Sequence, residues 1–244
     1  LRRAGMRENS LVPIASTYAT FNNLNATGLY PVLFDSVIAT ARPDLDSAPL
    51  LDRVRDRIVG KLADDGEEPP DDPDRLREAV FTAKLSEWGI TPQTQIVAYD
   101  DGDGAHAARV WALLRLLGHE KVAVLDGGWA RWAALGLPVE TQYKKPIPAR
   151  YTGTFDRSRL LDADDVQAHL AAGETLIDAR GADRFRGENE MFDRVAGHVP
   201  GAVSRPFPEN LDNGRFKGPA QLADEFRALL AGKSPDEAMV MCGS

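Results

Sequence analysis

Two short apolar runs recur at nearly the same interval in each half of this chain, and each run ends on a chemically marked residue. Residues 29–34 end at Asp35 and residues 95–99 at Asp100, 65 positions later. Residues 175–177 end at Asp178 and residues 238–241 at Cys242, 64 positions later. Runs this short, bounded by polar loops, read as buried strands. Helical spacings fill the intervals, over 43–61, 75–88 (stopped by Gly89), 105–117 (closed by Gly118), 129–135, 160–170 (with Asp162 as N-cap) and 222–230. Strand and helix in alternation imply a parallel sheet with helices on both faces.

The two halves therefore read as a tandem duplication of one α/β unit. The expected organisation is an irregular arm over 1–27, a first copy over 28–140, an inter-domain linker over 141–156 and a second copy over 157–244. Residues 64–74 (DDGEEPPDDPD) are acidic and Pro-rich, hence a solvated loop. In the first copy some 40 residues follow Asp100, to Glu140, whereas two follow Cys242. The repeat thus predicts an incomplete second copy and a natural chain continuing for roughly 40 residues.

Composition limits the partners. Asp and Glu number 37 against 29 Lys and Arg, a net charge of -8, with an isoelectric point near 5.1. That excludes a general binder of nucleic acid or anionic membrane, which needs a basic face. A local arginine cluster still suits a small anion. No apolar run reaches the length of a membrane span. A single cysteine forms no internal disulfide, which fits a reducing compartment. Residues 11–21 are too short and polar for the apolar core of an export signal, so the cytoplasm is expected. Four scattered His and one Cys give no metal-ligand spacing. No metal or cofactor is expected, and a monomer or weak dimer is.

Cys242 is the candidate for cysteine chemistry, its other reading being a buried structural cysteine. The run before it delivers the thiol at the carboxyl end of what reads as a buried central strand, the place where α/β proteins put their sites. Gly243 and Ser244 are small enough to let backbone N–H groups turn toward the sulfur. In the first copy this position holds Asp100, which is no thiol nucleophile, so the second copy is the catalytic one.

Six segments in order resemble the rhodanese (sulfurtransferase) family in its two-domain form: Tyr99-Asp-Asp-Gly-Asp-Gly, Val124-Leu-Asp-Gly-Gly-Trp129, Leu176-Ile-Asp-Ala-Arg180, Arg184-Phe-Arg-Gly-Glu188, Ala196-Gly-His-Val-Pro-Gly-Ala202 and Cys242-Gly-Ser244. The resemblance covers residues from about 90 to the end and implies two tandem rhodanese-like domains. It implies a sulfurtransferase in which a small anionic donor gives its outer sulfur to Cys242, and a thiol or cyanide acceptor removes it. Loop N–H groups and the following helix N-terminus would stabilise the thiolate and persulfide. Arg184 and Arg186 lie in the segment that holds the donor in relatives, where a guanidinium fork suits a carboxylate or sulfonate. Their other reading is surface pairing with Glu188, Glu190 or Asp193. Asp178 is expected to hold the loop by accepting backbone N–H bonds, and His198 to be structural.

A loop beginning Cys-Gly-Ser resembles the 3-mercaptopyruvate type, in which the serine two residues on, here Ser244, assists proton movement with an Asp and a His of the first domain. Thiosulfate types often place basic residues directly after the cysteine. This chain departs from the mercaptopyruvate pattern at Asp56-Arg-Ile-Val-Gly60, where the partner His is missing. Two other readings remain: a cysteine phosphatase or arsenate-reductase-like enzyme of the same fold, which needs a longer loop closed by an arginine, and a catalytically silent binding module.

Overall fold

The computed structural model describes residues 73–139, 146–190 and 195–242. The expected arm, the first strand with Asp35, the helix over 43–61, nearly all of the acidic loop, Gly243 and Ser244 lie outside the described residues. Contacts divide the chain into two compact units, with the boundary after Arg157.

In the first unit, α1 (Pro73–Glu87) starts two residues before the expected end of the acidic loop. It stops at Gly89, whose φ of 69° suits a residue without a side chain. A Cβ there would run into the Ile147 carbonyl, so glycine is required on two counts. Strand β1 (Ile96–Ala98) pairs in parallel with β2 (Val122–Val124), Ile96 opposite Val122 and Ala98 opposite Val124. The crossover between them is α2 (Ala105–Leu116), which packs on both strands. Ala107, Val110 and Leu114 recur at helical spacing, and all three are buried. They meet Phe81, Leu85, Ile90, Ile96, Ala98, Leu117 and Tyr151 in one core. Helix α3 (Gly128–Ala134) follows β2.

Residues 146–156, read from the sequence as linker, lie against this unit. Tyr151 is buried and its N–H donates to Ser86 Oγ (3.0 Å). The Ala149 N–H donates to the Ser86 carbonyl (2.9 Å) and the Asp156 N–H to that of Leu116 (2.8 Å). Phe155 stacks on Phe81.

The second unit holds a parallel sheet ordered β4–β3–β7, made of β4 (Val203–Ser204), β3 (Thr175–Asp178) and β7 (Ala238–Met241). All four residues of β3 are buried, as a strand flanked on both edges and covered by helix should be. Helix α4 (Ala163–Ala171) begins with a capping box in which Asp162 and Asp165 each accept the other's N–H, as Asp162's position predicts. The five-residue α5 (Ala182–Arg186) ends at Gly187. A ribbon of β5 (Leu211–Asp212) and β6 (Arg215–Phe216) turns at Asn213-Gly214, both at positive φ. Helix α6 (Pro219–Leu229) leads to β7.

Among the described residues β7 pairs with β3 alone, and Val240 is 70% exposed. Among the described residues no helix is long and apolar enough to cross a membrane.

Candidate active site

Three strand ends converge at the carboxyl edge of the second unit's sheet. The registers set Met241 opposite Asp178, and Asp178 opposite Ser204. The ladder continues one step past the strands: the Ala179 N–H donates to the Met241 carbonyl (2.9 Å), and the Arg205 N–H to the Asp178 carbonyl (2.9 Å). Cys242 therefore leaves the sheet beside the turn that begins at Ala179. Its thiol is exposed.

That turn is fixed by a buried ionic cluster. The Asp178 side chain is fully enclosed, with 0% exposure. Its Oδ1 accepts the Arg180 backbone N–H (3.0 Å) and Nε–H (3.0 Å), and its Oδ2 accepts Arg180 Nη2–H (2.6 Å). Arg180 also donates to the Gly197 carbonyl (2.8 Å), tying in the Gly197–Ala202 turn, and its Nη1 lies 3.4 Å from Glu190. Burial alone would raise the Asp178 carboxyl. The Arg180 side chain and backbone N–H, helped by the Arg184 charge, outweigh it and hold the group below the usual carboxylate range. Asp178 thus fixes the turn after β3, through Arg180, a residue the sequence reading did not place in the site. The Asp-x-Arg spacing was its signal: residue i+2 of a turn can fold back onto a carboxylate at i.

The two expected donor-binding arginines sit differently. Arg184 presents a two-pronged pair to Glu190, Nε to Oε2 (3.1 Å) and Nη2 to Oε1 (3.0 Å), and the Glu190 side chain is only 3% exposed. Arg186 pairs with Glu188 (2.8 and 2.7 Å) at the surface, both side chains more than half exposed. His198 stacks on Phe185, ring centres 3.7 Å apart, and its Nδ1–H donates to the Phe185 carbonyl (2.7 Å). That contact pins the turn to α5.

A second cluster braces the β4 end. Arg205 meets Glu225 of α6 (2.5 Å), which Lys217 also approaches (3.0 Å). Hydrogen bonds from Arg205 first, then Lys217, bring the Glu225 carboxyl down to about 2.

The first unit shows what its own loop does with an anion. Asp100 stands just past β1, as Cys242 stands just past β7, and is 2% exposed. Its Oδ1 accepts the N–H groups of Gly102 (3.1 Å) and Gly104 (3.0 Å), and its Oδ2 that of Ala107 in the first turn of α2 (2.9 Å). Three backbone donors and a helix N-terminus surround one carboxylate.

Comparison with known proteins agrees with this architecture. Residues 58–135 match the family described as rhodanese-like domain. A probable 3-mercaptopyruvate sulfurtransferase of Pseudomonas aeruginosa is 46% identical over 182 residues, 73% of this chain and 62% of that protein. The thiosulfate sulfurtransferase of Bos taurus is 34% identical over 166 residues, 65% of this chain and 54% of that protein. The crystal structure of SseA from Escherichia coli, described as a 3-mercaptopyruvate sulfotransferase of rhodanese fold, superposes with a TM-score of 0.56 at 31% identity, over 66% of this chain and 60% of that one. The chain thus spans 54–62% of the length of these curated relatives. With its strand–helix–strand units, the chain has the rhodanese fold, and residues 58–135 carry a rhodanese-like domain.

Proposed function

We propose that this chain is a sulfurtransferase that carries a sulfane sulfur on Cys242. The observation that carries the reading is the placement of the chain's one thiol: exposed, one residue past β7, beside the turn that Asp178 and Arg180 lock. The Cys242 thiolate attacks the outer sulfur of the donor. An Sγ–S bond forms as the donor's C–S bond breaks (3-mercaptopyruvate, leaving the pyruvate enolate to take a proton) or its S–S bond breaks (thiosulfate, leaving sulfite). An acceptor thiolate or cyanide then takes the outer sulfur and returns the thiolate.

The two units act here as copies of one fold, with 28–140 non-catalytic and 157–244 catalytic. Asp100 supports this: its loop holds an anion with three N–H groups at the place where Cys242 stands in the other copy. Gly243 and Ser244 belong to the corresponding loop, with Ser244 assisting proton movement. Arg184 and Arg186 hold the donor's anionic end, Asp178 orders the turn through Arg180, and His198 fixes α5. The higher identity to the relative named for 3-mercaptopyruvate favours that donor over thiosulfate.

Intact mass of the full-length protein after exposure to each donor tests this. One added sulfur atom, absent in Cys242→Ser, is the expected result, larger with 3-mercaptopyruvate. No sulfur uptake from either donor would sink the proposal and favour a binding module.

A further inference from the structure

Asp178, Arg180, Glu190 and Arg184 form a chain of three ion pairs in the second unit, two carboxylates and two guanidiniums joined at 2.6–3.4 Å. Their side chains are 0%, 5%, 3% and 16% exposed, so Arg184 is the member that solvent reaches most. The two carboxylates have different work. Asp178 belongs to the sheet edge: it sits on β3 and takes a backbone N–H as well as the Arg180 fork. Glu190 lies beyond α5 and directs both of its oxygens at Arg184, one of them shared with Arg180.

A guanidinium whose Nε and Nη2 edge is filled by a carboxylate is a weak receptor for a second carboxylate. Its charge is already countered, and the edge best shaped for two oxygens is taken. An arriving anion feels the Glu190 charge at a separation of several ångströms, in surroundings drier than bulk water.

We propose that Glu190 is a specificity-determining residue: a built-in carboxylate that occupies the Arg184 fork and competes with the anionic sulfur donor. This rests on the sulfurtransfer reading above, in which Arg184 receives the donor. Glu190 counters the Arg184 charge and orders its fork, and it sets the donor KM above what Arg184 alone would give. The arrangement favours donors able to share or displace a carboxylate, and it disfavours casual occupancy by small monoanions.

The test is donor kinetics of the full-length protein in Glu190→Gln, Glu190→Ala and Glu190→Asp, with thermal melts as the folding control. Removing one unit charge at this range should lower the donor KM about threefold to tenfold in the neutral variants, with little change in kcat. Glu190→Asp keeps the charge and should keep a KM near the wild-type value. A purely structural Glu190 gives the opposite sign, since a loosened Arg184 raises KM. The proposal is overturned by an unchanged or raised KM in a folded neutral variant, and equally if neither neutral variant folds, because the carboxylate is then structural. If the wild-type protein takes up no sulfur from either donor, the sulfurtransfer reading fails, and this inference with it. That outcome is visible in the wild type alone, before any Glu190 variant is made.

Discussion

Replacing Arg180 by Ala removes one partner from a buried ion pair and leaves the other in place. Asp178, at 0% exposure, would keep one hydrogen bond, from the backbone N–H of residue 180, and lose the side-chain contacts at 2.6, 3.0 and 3.1 Å. Glu190 would lose one of its two arginines, and the Gly197 carbonyl its donor. Stranding a buried charge in this way costs about 3–5 kcal/mol. Whole domains are stable by roughly 5–15 kcal/mol. In a unit this small the loss should lower the melting point by about 10 °C or more. Far-UV circular dichroism follows the transition. A paired control isolates the cause: Asp178→Asn with Arg180→Met removes both charges at similar volume, and should melt above Arg180→Ala. Arg186→Ala breaks a pair that is more than half exposed, and its melt should match the wild type. The reasoning fails if Arg180→Ala melts with the wild type, or if the double variant is the worse of the two.

Two further outcomes concern the first unit, which holds all four tryptophans, at 88, 111, 129 and 132, so that fluorescence reports it. His119 is 2% exposed, gives its Nε2–H to the Thr94 carbonyl (2.9 Å) and pairs through Nδ1 with the Tyr151 hydroxyl (3.2 Å). Burial, chiefly, and the nearby Lys121 charge lower its basicity against the backbone contacts that raise it. The unfolded chain therefore takes up the proton first, and stability falls as pH drops from the ordinary 6.5 toward the lower folded value, then levels. A fluorescence melt should show this fall, and His119→Gln should flatten it; an equal slope in the variant would exclude His119 as the source. Asp100→Asn turns one acceptor oxygen into a donor against three N–H groups and should cost about 1–3 kcal/mol by urea unfolding. A loss within error would show that the loop does not depend on the carboxylate.

Periodicity located the described long helices and the longer strands to within about three residues, because each buries a regular apolar face. Shorter pieces escaped it. Strand β4 is two residues, Val203–Ser204, and α5 is five with three charged, too little for any period to register. The β5–β6 ribbon was signalled by Asn213-Gly214, a dipeptide suited to a turn with two positive φ values, but its strands are too short to alternate. The pairing of β3 with both β4 and β7 depends on which strands meet, which no local pattern records. The site was legible as residue types and opaque as partnerships. Cys242 stands out by its chemistry and its place after an apolar run, whereas Asp178, Arg184, Arg186 and His198 are singled out by the family resemblance. That Arg180 is the centre of the cluster follows only once Gly197 and Glu190, 17 and 10 positions away, are folded against it.

The first unit shows how a loop between a strand and a helix can hold a carboxylate. A loop leaving a strand and entering a helix points its free N–H groups inward, whatever the residue at its mouth. Left without an acceptor, those buried donors would each carry a desolvation cost. Asp100 satisfies them permanently, with Trp129 donating its N–H to the Asp100 carbonyl (2.8 Å) and no Cβ at Gly128 to block the approach. That closes the site: its acceptor is covalently part of the chain and cannot be exchanged. In the sulfurtransfer proposed above, a sulfur anion in a loop of this kind would be a weaker acceptor than a carboxylate, leaving its N–H donors able to follow charge as it moves from thiolate to persulfide. Under the duplication proposed above, the carboxylate makes the first copy a rigid support and the thiol makes the second a reactive centre.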